Sequence, residues 1–108
     1  MKVLDEGHKY KLENLEKTTL PEKMRDSTIY FVKKEPISEG SNELQLVHDG
    51  TTNEEVLKML INRMNYLQSK MSCRENAIVI TKLEEALHWL YSRTLDRGQR
   101  GVEGLHIK

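Results

Sequence analysis

The sequence has very little of three things that define common protein classes: cysteine, net charge and long apolar runs. Cys73 is the single cysteine, which excludes an internal disulfide and a thiolate zinc cage. The 17 basic and 17 acidic side chains cancel, which argues against a protein whose main role is to coat duplex DNA. The apolar run at residues 77–80 is only four residues long, too short for a transmembrane helix. The first ten residues lack the apolar core of a signal peptide, so we expect a cytoplasmic protein.

Length and composition indicate a single globular domain. A chain of 108 residues, with 37% hydrophobic and 31% charged residues, is long enough to bury roughly two-thirds of its unfolded surface. We predict an α+β fold, in which a small N-terminal antiparallel β-sheet (residues 1–50) packs with a C-terminal antiparallel helical hairpin (residues 52–98). Residues 99–108 lack periodicity and are predicted to form a C-terminal tail without helix or strand.

Three segments of the N-terminal half have the patterns of β-strands. Residues 8–15 alternate apolar and charged side chains, which predicts a short, half-buried strand. Residues 28–34 carry β-branched and aromatic side chains on both faces, so we predict a central strand that Pro36 terminates. Residues 43–47 alternate again and are predicted to pair with it as a hairpin. The charged segment 16–27 is predicted to be a surface loop.

Two capping boxes mark the starts of two helices. Thr52 with Glu55 begins the first helix, and Ser72 with Glu75 begins the second, which is predicted to end near Gly98. Because the link between the helices is short, they are expected to form an antiparallel hairpin. The first helix has an apolar stripe formed by Leu57, Leu60, Met64, Leu67 and Met71.

The second helix carries two neighbouring stripes of residues at helical spacing. The first stripe is apolar in its middle and polar at both ends, and it consists of Asn76, Ile80, Leu83, Leu87, Leu90, Thr94 and Arg97. The second stripe consists of Val79, Ala86, Trp89 and Arg93. Together they make an apolar face that is wider than one neighbouring helix covers, so we predict a homo-oligomer, at least a dimer.

Four polar side chains of the hairpin form a candidate ligand site: Tyr66, Asn76, Arg93 and Arg97. The two arginines lie one helical turn apart, so both guanidinium groups can converge on one anion such as a pyrophosphate. Asn76 and Arg93, however, are seventeen residues apart, or about 25 Å along one helix. They can share a ligand only if two copies of the helix pack antiparallel, and the leucines of the first stripe would then pair with each other. The alternative is a first stripe that packs only on the first helix, with the arginines solvated or salt-bridged.

Evidence for catalysis is weak in this sequence. Glu85 and His88 have the Glu-x-x-His spacing of di-iron bundles, but the chain contains no second such pair, which favours a solvated helix face. No serine, and not Cys73, has an evident base partner in the sequence. We therefore predict a binding protein that is not an enzyme, with no catalytic residues, metal or cofactor.

Two long stretches of the hairpin resemble a known family. DGTTNEEVLKMLINRMNYL (49–67) and CRENAIVITKLEEALHWLYSRTLDR (73–97) are similar to the phage Thoeris anti-defence family, as are GHKYKLENL (7–15) and YFVKKEP (30–36). The resemblance implies a protein that sequesters glycocyclic ADP-ribose, a cyclic ADP-ribose isomer made by bacterial TIR-domain sensors, without cleaving it. Such a protein would act in the cytoplasm of the infected host bacterium.

The resemblance also implies roles for the four polar residues and alternatives for the ligand. Tyr66 would stack on the adenine, Asn76 would hydrogen-bond the ligand, and Arg93 and Arg97 would hold the pyrophosphate at a homodimer interface. The same helical hairpin occurs in phage anti-CBASS sponges of cyclic oligonucleotides, so cyclic di- or trinucleotides are the alternative ligands. A metal-dependent nucleotide hydrolase and a DNA-binding regulator are more distant alternatives.

Overall fold

The chain divides into two compact units of unequal size. In the computed structural model, which describes residues 1–15 and 27–108, the first unit comprises Met1–Glu35 and Gln45–Thr51, and the second comprises Pro36–Leu44 and Thr52–Lys108. Five short strands precede two long helices, so the predicted α+β class is confirmed for the described residues. That the chain is one domain stays a prediction.

An antiparallel three-stranded sheet lies in the first unit. It consists of β1 (Lys2–Asp5), β2 (Lys9–Leu12) and β3 (Ser27–Tyr30), with β2 in the middle. β2 falls within the strand predicted at residues 8–15, whereas β1 was not predicted. The loop predicted at residues 16–27 lies outside the described residues, except for its last residue, which begins β3.

The strand predicted at residues 28–34 is divided in two. Among the described strands, its first half lies at the edge of its sheet and not in the centre. After Tyr30 the backbone turns to residues 50–51: the Thr51 amide donates to the Tyr30 carbonyl at 2.7 Å, and the Val32 amide donates to the Thr51 carbonyl at 2.9 Å. A Cβ on Gly50 would lie 2.6 Å from the carbonyl carbon of Phe31. The close approach therefore requires glycine, and it diverts the chain from one continuous strand.

The second half of that segment forms a two-stranded antiparallel hairpin. β4 (Lys33–Pro36) pairs with β5 (Leu44–His48), and the Ile37 amide donates to the Glu43 carbonyl at 3.0 Å where the turn begins. Pro36 ends β4, as expected of a residue that cannot donate a ladder bond. The strand predicted at residues 43–47 is confirmed, shifted by one residue.

Two helices make up most of the second unit. α1 (Asn53–Lys70) begins at Thr52, whose hydroxyl accepts the Glu55 amide at 3.3 Å, so the first predicted cap is confirmed. α2 (Arg74–Gln99) is capped by Cys73 and not, as predicted, by Ser72. The Cys73 Sγ accepts a hydrogen bond from the Asn76 amide at 3.4 Å. Along the described chain, no helix has both the length and the apolarity that crossing a membrane requires.

The end of α2 lies beyond the position predicted from Gly98. Gly98 is inside the helix, and Gly101, with φ +71°, takes the left-handed position after the Arg100 cap. The Val102 amide donates to the Arg97 carbonyl at 3.0 Å and the Gly101 amide to the Gly98 carbonyl at 3.1 Å. This bond pair is a Schellman motif, which satisfies the last carbonyls and turns the following chain back along the helix.

The tail after α2 folds onto the tip of the β4–β5 hairpin. The His106 amide donates to the Asn42 carbonyl at 2.7 Å, and Leu105 forms a single antiparallel bridge with Glu43. Residues 101–108 of the tail thus form neither helix nor strand, whereas Gln99 still belongs to α2.

The two stripes of α2 differ in their exposure. Apart from the exposed Thr94, the first-stripe residues are half-buried or buried on the side that packs against α1. The second stripe is exposed, with Trp89 at 70%. Among the described residues no apolar side chain is buried. The first stripe thus contacts α1, and the second stripe is the apolar surface left open. Self-pairing of two copies stays a prediction.

Candidate functional site

One end of the hairpin carries Tyr66 and Asn76. Tyr66 lies in the last turn but one of α1 and is 54% exposed, whereas Asn76 lies in the first turn of α2 and is half-buried. The Lys70 ammonium lies 5.4 Å from the centre of the Tyr66 ring, which places a cation beside its π-face. This end therefore offers an aromatic face, an amide and a positive charge, which suits a base attached to an anionic group.

The short link between the helices is held by a side chain that sequence analysis did not single out. The Gln68 amide nitrogen donates to the Cys73 carbonyl at 3.1 Å, and the Cys73 amide donates to the Gln68 side-chain oxygen at 3.1 Å. These paired bonds fix the start of α2 against the end of α1. The relative position of the two helix ends thus depends on Gln68. No periodicity in the sequence marks this contact.

Arg93 and Arg97 lie at the opposite end, in the last two turns of α2. Arg93 is exposed. Arg97 is 5% exposed and is the one buried residue among those described. The two arginines therefore differ in their access to a ligand, although their sequence spacing suggested equivalent roles.

The Arg97 guanidinium is held by the backbone of the tail. It donates to the carbonyls of Val102 at 2.9 Å and Leu105 at 2.7 Å, and also to that of Ile107. Its Nε lies 3.5 Å from the Glu103 carboxylate. In the free chain these oxygens fill the positions that the prediction assigned to pyrophosphate oxygens.

The two ends of the hairpin are too far apart to form one site within a chain. α2 is a continuous helix, so the seventeen residues between Asn76 and Arg93 correspond to about 25 Å. Tyr66 precedes the link and lies at the Asn76 end, far from Arg93. The structure thus places Tyr66 and Asn76 at one end of the hairpin and Arg93 and Arg97 at the other, and it does not bring the two pairs together.

A groove lies between these two ends, along the middle of the hairpin. It encloses about 490 Å³, and its lining consists of Lys58, Ile61, Asn62, Asn65, Glu84, Leu87, His88 and Tyr91. A hydrogen bond with Tyr91 raises the pKa of Lys58 above its usual value, which further favours the charged ammonium. None of the four predicted ligand residues lines this groove.

The Glu-x-x-His pair lies on exposed helix surface. Glu85 is 3.8 Å from the Lys82 ammonium, and His88 packs edge-on against Trp89 with ring centres 5.8 Å apart. Within residues 1–15 and 27–108, no group of three or more His, Cys, Asp or Glu side chains is arranged to hold a metal ion.

The long helix pair defines a helical-hairpin class of protein. Comparison with known proteins identifies the family. The family profile described as "Acb2/Tad1, hairpin domain" matches residues 30–94. This match covers more than half of the chain, and the chain belongs to that family. The predicted resemblance is confirmed to this extent.

A characterised relative is "Thoeris anti-defense 1" of Bacillus phage SBSphiJ7. It is 57% identical over 61 residues, which are 56% of this chain and 43% of the relative. The match thus spans less than half of the relative's length. Activity, ligand and assembly are therefore matters for a proposal.

Proposed function

We propose that this chain is a phage anti-defence protein that binds and sequesters glycocyclic ADP-ribose in the cytoplasm of an infected bacterium. The proposal rests on family membership, on the relative named for Thoeris anti-defence, and on the residues at the two ends of the hairpin. Tyr66 and Asn76 would hold the adenine part, and Arg93 and Arg97 would hold the pyrophosphate.

The observation that carries the proposal is the separation of these pairs along a continuous α2. One small ligand bridges them only when the Asn76 end of one copy lies beside the Arg93 end of another. Two copies packed antiparallel satisfy this at both ends, so a dimer has two equivalent pockets. The exposed second stripe supplies an apolar surface for such packing.

Sequestration without turnover fits the chemistry of these residues. A tyrosine, an asparagine and two arginines bind a nucleotide, but at neutral pH they provide neither a general base nor a metal-activated water. The ligand would be withheld from its receptor by occupancy alone. Its release on denaturation should return it chemically unchanged.

Mass spectrometry of a bound ligand tests the proposal. The purified protein is mixed with glycocyclic ADP-ribose and with cyclic di- and trinucleotides, separated from free ligand, and heat-denatured. We expect recovery of intact glycocyclic ADP-ribose. Recovery of linear ADP-ribose would indicate an enzyme, and retention of cyclic oligonucleotides alone would favour the alternative ligand class.

The proposed dimer is tested through Trp89. Trp89→Lys places a charge in the exposed second stripe, and we expect light scattering at micromolar concentration to change from a dimer or larger species to a monomer. Leu95→Lys is the matched control, since Leu95 is also exposed but lies about 120° around α2 from Trp89. A wild-type protein of one chain's mass would refute the shared pocket.

A further inference from the structure

The hydrogen-bonding capacity of Arg97 is almost fully used in the free chain. A guanidinium group has about five N–H donors. Both donors of Nη2 go to the carbonyls of Val102 and Leu105, one donor of Nη1 goes to the carbonyl of Ile107, and Nε faces Glu103. A single Nη1 donor remains for any other acceptor.

This arrangement follows from the way α2 ends. Gly101 allows the Schellman motif, which directs residues 102–108 back toward the last turn of the helix. The bond from the His106 amide to Asn42 then holds the returning segment in place. The carbonyls of the returning segment then meet the Arg97 guanidinium group.

We propose that the tail, residues 102–108, is an intramolecular competitor of the ligand for Arg97. The inference rests on the proposed function. Two-pronged recognition of a pyrophosphate needs two parallel N–H donors on one edge of the guanidinium group, and the tail leaves one donor in total. Ligand can therefore engage Arg97 only when the tail is displaced.

The apparent affinity equals the affinity of the released form multiplied by the fraction of chains whose tail is released. The first test replaces residues 103–108 with a Gly/Ser segment of equal length. This removes the Glu103 carboxylate and replaces the ordered tail with a flexible segment, whose carbonyls are not held on Arg97. We expect glycocyclic ADP-ribose to bind on the order of tenfold more tightly, as measured by titration calorimetry.

The matched control makes the same replacement in an Arg97→Ala chain. If the tail acts through Arg97, the replacement should give no gain in affinity in that background. An equal gain with and without Arg97 would refute the competition.

A second measurement uses the unaltered chain and does not depend on how the replacement folds. Hydrogen exchange of the peptide that contains residues 102–108 is followed by mass spectrometry with and without saturating glycocyclic ADP-ribose. Displacement of the tail should break the His106–Asn42 bond and make exchange faster, whereas a tail that is only structural should exchange at the same rate or more slowly when ligand binds.

The outcomes separate this inference from the proposed function. If the unaltered chain binds the ligand, the replacement brings no gain and the tail stays protected, the competition is wrong and the proposed function stands. If neither chain binds glycocyclic ADP-ribose, the proposed function fails and the competition fails with it.

Discussion

A complementation experiment tests whether each ligand pocket draws residues from two chains. The two changes are Tyr66→Ala at one end of the hairpin and Arg93→Ala at the other. Arg93 is preferred to Arg97 because it is exposed, whereas Arg97 also anchors the tail. In a mixed dimer of the two variants, one pocket carries both defects and the other carries neither.

The structure allows the size of each defect to be estimated. Removing a stacked aromatic costs about 1–3 kcal/mol per base, and removing a hydrogen bond to a charged group costs about 1.5–3 kcal/mol. Each variant homodimer should therefore bind about 10- to 100-fold more weakly than the unaltered protein. In the doubly damaged pocket of the mixed dimer, the two losses together correspond to binding that is weaker by about a thousandfold.

Differently tagged chains are co-expressed, the mixed dimer is purified on both tags, and glycocyclic ADP-ribose is titrated calorimetrically. We expect one site per mixed dimer with the affinity of the unaltered protein, and no such site in either homodimer. A mixed dimer without a tight site would show that Tyr66 and Arg93 act within one chain, or that one of them does not contact the ligand.

Three further predictions follow from other contacts. Gln68→Ala should lower the free energy of unfolding by about 1–2 kcal/mol because it removes both bonds to the helix link, whereas Gln68→Glu keeps the acceptor and should lose about half of that, as measured by urea denaturation. Gly50→Ala should lower the free energy of unfolding by about 2 kcal/mol because its Cβ would collide with backbone atoms. Gly98→Ala, whose Cβ inside α2 would meet no atom within 4 Å, should instead raise the free energy of unfolding by about 0.5–1 kcal/mol. Equal effects of the two changes would contradict the geometry. The hydrogen bond from Lys33 lowers the pKa of Asp5 below its ordinary value of 3.8. The pair therefore stabilises the fold above about that pH, and this contribution is lost as the pH falls through the folded-state pKa. An NMR titration should show the Asp5 midpoint rising in Lys33→Met, and an unchanged midpoint would exclude the bond in solution.

The helices were predictable because their determinants are local. Spacings of three and four residues and the cap at Thr52 depend on neighbours within a turn or two. The start of α2 was misplaced by one residue, since Ser72 and Cys73 are both able to cap a helix. The choice is made by Gln68, which bonds the Cys73 backbone from across the link. Periodicity in the sequence does not contain such a contact.

The division of the predicted strand at residues 28–34 has a non-local cause. Its residue types favour continuous strand, and nothing within it breaks the pattern. The break comes from Gly50, some twenty residues later, whose missing side chain allows Thr51 to bond the backbone at Tyr30 and Val32. Asp49-Gly50 indicates a turn from the sequence alone. The contact of Gly50 with residues 30–32 cannot be read from the sequence pattern.

The contacts of Arg97 in the candidate site were likewise not predictable from helical spacing, and their chemistry suggests why the tail carbonyls bind it. Helical spacing put Arg97 on the first stripe with Leu90 and Asn76, and the structure shows Arg97 buried while the other two are half-buried. A shielded guanidinium group is costly unless acceptors satisfy it. A ligand phosphate would meet that requirement only while it is bound, so the free chain needs another source of oxygen atoms. The carbonyls of Val102, Leu105 and Ile107 provide it. The burial that suits Arg97 to holding an anion therefore also demands a substitute for that anion, and the Schellman turn at Gly101 delivers one.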